Sequence, residues 1–140
     1  MLPEDVHTLV LWSKDFRPVL QDTGGVRQAL ARYEQVFCHL TVTGLGGTAL
    51  EPNIAPWNEV ISQLPALTEF AGHPRRVSVR YDPIVHWYEG DQIQSNLALA
   101  EPISRQVMSS SRNDSAIASS PHQPEELPVA LAATRPGFHF

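Results

Sequence analysis

Long apolar runs are missing from this sequence. No stretch of about 18 apolar residues occurs, so nothing in it reads as a membrane span. Cysteine is almost missing as well. Cys38 is the only one in the chain, which excludes an internal disulfide and a cluster held by several thiolates of this chain. A lone thiol fits a reducing compartment. Positive charge is scarce: 10 Lys and Arg against 15 Asp and Glu leave a net charge of -5, which argues against a nucleic-acid surface. The stretch Met1 to Val6 is acidic, contains Pro3 and lacks the basic start and apolar core of a secretory signal. The chain therefore reads as cytoplasmic, and the glycosylation acceptor formed by Asn113-Asp114-Ser115 is idle there.

What is present is enough for one ordinary domain: 140 residues, 42% of them hydrophobic. Three short segments rich in β-branched or aromatic residues, and bounded by turn formers, read as buried strands: Val6 to Trp12, Val36 to Thr43 and Val77 to Asp82. Helical spacing lies between and after them. In Arg17 to Tyr33 the pair Gly24-Gly25 interrupts the pattern, which predicts a short helical turn and then a helix from about Val26. Trp57, Val60, Ile61, Leu64 and Leu67 predict a helix over Trp57 to Ala71, with Pro56 before it, Gly72 closing it and a kink at Pro65. A last helix is predicted from Ser95, carrying Leu97, Ala100, Ile103 and Val107, with Pro102 working against it.

Strand and helix thus alternate, and such alternation means parallel strands joined by right-handed helical crossovers. An open doubly wound sheet and a barrel both satisfy it. A complete eight-unit barrel takes roughly 250 residues, so a barrel reading implies a piece of about three strand–helix units. From Ser109 to Phe140 no periodicity is evident. The expected organisation is a partial (β/α) domain over residues 1–108 and a disordered tail over 109–140.

Ligands of parallel α/β folds bind beyond the C-terminal ends of the strands. Those ends carry Trp12-Ser13-Lys14-Asp15, then Thr43-Gly44-Leu45-Gly46-Gly47 with Glu51-Pro52-Asn53, then Arg80-Tyr81-Asp82-Pro83. Strand parity sets Val36, Cys38, Leu40 and Val42 on one face and His39, Thr41 and Thr43 on the other. It likewise sets Val77, Val79 and Tyr81 against Ser78, Arg80 and Asp82. Arg80 and Asp82 either serve a ligand or satisfy each other's buried polarity. Lys14 is an anion ligand or amine nucleophile if desolvated, and otherwise a solvated loop lysine. Glu51 is a general base or metal ligand, or a loop carboxylate favoured by the helix that follows. His39 reads as a hydrogen-bonded core histidine, because parity separates it from Cys38, and Cys38 reads as a small buried hydrophobe. Gly44 to Ala49 formally fits a dinucleotide fingerprint, but Pro52 and Pro56 fall where its helix would run, so it reads as a flexible glycine loop. His86-Trp87-Tyr88-Glu89 reads as aromatic cover over a ligand or as packed loop.

At these residues the chain resembles a known family. Leu11-Trp12-Ser13-Lys14-Asp15, Thr41-Val42-Thr43-Gly44 with Leu50-Glu51-Pro52-Asn53, and Val79-Arg80-Tyr81-Asp82-Pro83-Ile84 look like successive blocks of an uncharacterised bacterial domain-of-unknown-function family. Its longer members look like (β/α) TIM-type barrels, and their C-terminal cysteine cluster is similar to that of radical S-adenosylmethionine (radical SAM) enzymes. The resemblance spans Pro3 to Met108 and implies a barrel, with an iron–sulfur cluster and S-adenosylmethionine in the longer relatives and neither cofactor in this chain. An upstream strand–helix unit and the downstream cysteine cluster of the family are both missing, as in a truncated or frame-shifted reading frame.

Together these readings give an incomplete (β/α) barrel of a family linked to iron–sulfur chemistry. Glu51 and Asp82 are the candidate proton-transfer residues. Lys14, Asn53 and Arg80 are the candidate ligand-binding residues, with Arg80 and Lys14 suited to a carboxylate or phosphate. No metal ligand is assigned. The rival readings are a binding or metal-hydrolase module using Glu51, Asp82 and His86, and a non-enzymatic remnant that acts by association. Open sheet edges imply self-association, and neither nucleic acid nor membrane is expected as a partner.

Overall fold

A computed structural model describes residues 3–117 of the chain. Its centre is a parallel sheet of three strands in the order β1-β2-β3, with β1 at Leu9–Ser13, β2 at Val36–Val42 and β3 at Val77–Tyr81. Helices connect them: α1 (Arg17–Leu20) and α2 (Val26–Leu30) before β2, then α3 (Trp57–Ile61) and α4 (Leu64–Ala71) before β3. A hairpin of β4 (His86–Glu89) and β5 (Gln92–Ser95) follows, and α5 (Ala100–Ile117) comes last. The expected mixed α/β architecture with parallel strands is therefore present. No helix among the described residues is long and apolar enough to cross a membrane.

Alternation within β2 determines which side of the sheet is core. Val36, Cys38, Leu40 and Val42 are buried, while Phe37, His39 and Thr41 between them stay partly open. The register sets Val79 and Tyr81 of β3 beside Leu40 and Val42. Helix residues at 3.6-residue spacing cover that side: Val60 and Ile61 of α3, Leu64 and Leu67 of α4, Ile103 and Val107 of α5. Leu40, Ile61 and Leu67 are fully buried, each contributing about 1.5–3 kcal/mol relative to an exposed position. Cys38 lies in the same layer, and burial pushes its thiol up to about 11. As expected, it is a small core hydrophobe.

Several boundaries differ from the sequence reading, each for a physical reason. The first strand begins at Leu9, where Leu9 N–H reaches Gln35 O at 2.9 Å. The preceding Pro3–Asp5 is a 3-10 turn. Pro65 does not kink one long helix. The chain breaks at Ser62-Gln63, and Pro65 falls in the first turn of the new helix α4, where its missing N–H costs nothing. Gln63 fills the break: its side-chain oxygen accepts from Phe16 N–H at 2.8 Å, which pins the β1–α1 connection to the helix layer. Ser95 caps as expected, accepting from Leu97 N–H at 3.1 Å, but it starts a 3-10 turn over Asn96–Leu99 that leads into α5. Pro102 then lies in the first turn of α5, where it is tolerated.

Helix α5 also runs past Met108. Residues Ser109 to Ile117, expected in an unstructured tail, are helical. Ile103 and Val107 dock the helix, and neither proline nor glycine interrupts it before Ile117. The remainder of the expected tail, 118–140, lies outside the described residues.

Candidate functional site

The C-terminal ends of β1 and β2 are tied together by charge. Lys14, the residue after β1, donates to Glu51 Oε1, and Thr43, the residue after β2, donates to Glu51 Oε2 through its hydroxyl. Thr43 Oγ1 in turn accepts from Leu45 N–H at 3.1 Å. Both carboxylate oxygens of Glu51 are thereby occupied. Burial alone would raise its pKa, but the hydrogen bonds from Lys14 and Thr43 and the lysine charge outweigh that and hold it below the ordinary carboxylate value. A carboxylate in this state is an ionised structural or ligand-orienting group; it becomes a proton acceptor only if Lys14 or Thr43 releases it.

Past β3 stands a second ion pair, Arg80 Nη2 to Asp82 Oδ2 at 3.1 Å, with 34% and 39% of the two side chains exposed. The other guanidinium nitrogens of Arg80 make no hydrogen bond with any described residue. Lys14, Glu51, Arg80 and Asp82 are thus all at one end of the sheet, as two separate pairs. Asn53 is not drawn into either pair. It lies exposed in the turn after Glu51. His86 is exposed at the start of β4, and among the described residues no group of three or more His, Cys, Asp or Glu side chains is placed to hold a metal ion.

The glycine loop between Thr43 and Glu51 is closely built, against the expectation of a flexible one. Gly47 N–H donates to Glu51 O at 3.1 Å, Thr48 N–H to Leu45 O at 3.1 Å and Glu51 N–H to Thr48 O at 3.2 Å. Amides that would have cradled a phosphate are used within the loop. Gly46 is obligatory because a Cβ there would lie 2.0 Å from Ala55 O. Gly44 has φ +73° and faces Leu99 and the Tyr81 hydroxyl.

Asn96 escaped the sequence reading. It is 1% exposed. Its amide nitrogen donates to Thr43 O and to Pro83 O, both at 2.8 Å, and its side-chain oxygen accepts from Val85 N–H at 2.8 Å. Its backbone carbonyl accepts the Tyr81 hydroxyl. One side chain therefore locks the ends of β2 and β3 to the base of the hairpin. Nothing local in the sequence marks it, because its partners lie up to 53 positions away. The hairpin was not expected either: His86 to Glu89 reads from the sequence as aromatic cover or packed loop, whereas it is a strand turned back by Gly90-Asp91, with φ +61° at Gly90.

His39 is hydrogen-bonded, as expected, but not in the core. It stands on the sheet face opposite Cys38, with Nδ1 bonded to Ser78 Oγ and its ring stacked on Trp12 at 5.3 Å between centroids and 12° between planes. Trp12 is 62% exposed. No helix of the core layer covers this side.

The model of one family, described as a domain of unknown function (DUF1848), matches residues 1–113. The chain belongs to the DUF1848 family. The DUF1848 region takes in all three parallel strands, the hairpin, most of α5 and every candidate residue named above. No curated protein and no solved structure matches the chain.

Proposed function

We propose that this chain is one wall of a larger (β/α) barrel, and that the C-terminal edge of its strands binds a small anionic molecule. One observation carries the reading. Helices seal one face of the parallel sheet, while the other face is only half-buried among the described residues, carries His39, Thr41, Ser78 and Arg80 beside Phe37 and Trp12, and leads to two ion pairs at the ligand-binding end. Parallel sheets are ordinarily covered on both faces, and in a barrel the second face is the interior. Arg80 is the anchor, since most of its guanidinium donors have no partner among the described residues, and Lys14 is the second cation of the edge. Glu51 and Asp82 orient those cations and are the groups available for proton transfer once a ligand displaces them.

In longer relatives of the kind the resemblance implies, an iron–sulfur cluster with S-adenosylmethionine would supply radical chemistry. The residues of this chain do not fit such a cluster. Its one thiol, Cys38, is buried under the helix layer and held protonated, and a cluster needs several thiolates. The part assigned to this chain is therefore binding. With β1 and β3 as open edges, the chain self-associates, and sedimentation over a concentration range should show a mass that rises with concentration. A single monomeric species at all concentrations would instead indicate a self-contained small sheet.

Calorimetric titration of the full chain with inorganic phosphate and with acetate tests the binding site. Affinity should fall with ionic strength and drop about tenfold in Arg80→Gln, with a smaller drop in Lys14→Gln. Binding that ignores both substitutions would refute the assignment.

A further inference from the structure

We propose that His39 and Arg80 form a two-point site for a small 2-hydroxy or 2-oxo carboxylate, Arg80 pairing the carboxylate and His39 Nε2 hydrogen-bonding the oxygen on the adjacent carbon. This rests on the strand edge being an anion site and extends that site down the open face of the sheet.

The register of β2 and β3 sets His39 beside Ser78 and Thr41 beside Arg80. His39 and Arg80 are therefore diagonal neighbours on the face away from the helices. Adjacent strands lie about 4.8 Å apart and two residues advance about 6.6 Å along a strand. Arg80 reaches the other way, to Asp82, through Nη2 alone, and its Nε and Nη1 donate to no other described residue. Exchange of Asp82 for a ligand carboxylate lets the long arginine side chain swing back across that offset, which brings the guanidinium and the imidazole within reach of a carboxylate and the oxygen on the next carbon.

His39 is prepared for the second contact. Ser78 holds Nδ1, Trp12 fixes the plane of the ring, and Nε2 has no partner among the described residues. Burial, and secondarily the charge of Arg80, holds the imidazole below its ordinary pKa, so the ring is neutral near pH 7. A neutral ring presents Nε2 either as acceptor or as donor. The Ser78 hydroxyl serves both forms, accepting from Nδ1–H in one tautomer and donating to bare Nδ1 in the other. Nε2 can therefore accept from a 2-hydroxyl or donate to a 2-oxo group. The imidazole is held before a ligand arrives, so it loses little freedom on binding, while Arg80 exchanges Asp82 for the carboxylate. A purely structural role for the His39–Ser78 bond would fill the strand face equally well, but it predicts no preference among carboxylates.

Lactate, pyruvate, acetate and phosphate, titrated into the full chain while the imidazole nitrogens are followed by NMR, separate these cases. Lactate and pyruvate should bind about tenfold more tightly than acetate, the gain of one good hydrogen bond. They should shift the Nε2 signal of His39, whereas acetate should not. His39→Phe, which keeps an aromatic partner for Trp12, should lose the tenfold gain and retain acetate binding. Arg80→Gln should weaken all four ligands by about tenfold. Equal affinity for lactate, pyruvate and acetate, or an unmoved Nε2 signal, overturns this inference while leaving the anion edge intact if phosphate still depends on Arg80. Failure of all four probes to bind removes both.

Discussion

Leu40 and Thr41 are consecutive residues of β2 with opposite surroundings. Leu40 is fully buried beneath α3 and α4, while Thr41 stays half-open among His39, Ser78 and Arg80. The same contrast runs across the sheet. One face is filled by aliphatic side chains whose identity is governed by volume. The other carries hydroxyls, an imidazole, a guanidinium and an exposed indole, which fill space poorly but offer directed contacts. Stability resides on the first face and the proposed recognition on the second, and substitutions can test how cleanly the two are divided.

The largest effect is expected at the sealed face. Leu40→Ala should destabilise the chain by about 2–5 kcal/mol, read as a shift of the urea midpoint, because its neighbours cannot close the cavity. Asn96→Ala comes next, at about 2–3 kcal/mol. It strips partners from the buried Thr43 O and from the part-buried Pro83 O and Val85 N–H. A loss as small as a surface substitution would show that water reaches this junction.

Glu51 offers a test by pH. Its folded pKa lies below the 4.5 of an unperturbed glutamate carboxyl. The stability it adds is therefore complete above that value and is lost as pH falls through the lower folded value. Glu51→Gln should be less stable than the parent at neutral pH, with the gap closing under strong acid. A gap that does not change with pH would mean that Lys14 and Thr43 do not favour the ionised form. The smallest effect is expected from Thr41→Ala on the open face, within about 0.5 kcal/mol. A loss comparable to that of Leu40→Ala would mean that something covers this face in solution, and would erase the contrast.

Local patterns in the sequence were enough for much of the fold. Val36, Cys38, Leu40 and Val42 alternate so regularly that the buried face of β2 could be read directly, and the spacing of Val60, Ile61, Leu64 and Leu67 marked the helix layer over it. Contacts between distant residues were not legible. Lys14 and Glu51 were each singled out, yet their pairing joins positions 37 apart and depends on how the glycine loop folds back. His39 was placed on the correct face but assigned to the core, because parity says which side a residue faces and not whether anything covers that side. The extent of α5 was missed because Ser109 to Ile117 lack an apolar stripe. That segment continues a helix nucleated and docked upstream.

The fit of Gly46 against the Ala55 carbonyl bears on how this loop can be altered. A randomised library across Thr43 to Asn53 would meet a sharp divide. At Gly46 any side chain collides with main chain that has nowhere to move, and at Gly44 with the Leu99 side chain in a backbone conformation other residues resist. Most members varied at those two positions would fail to fold, whatever their affinity for a ligand. Leu50 and Asn53 are exposed and flank Glu51 without holding it. Diversity placed there would change what the strand edge meets while leaving the scaffold that aims Glu51 untouched.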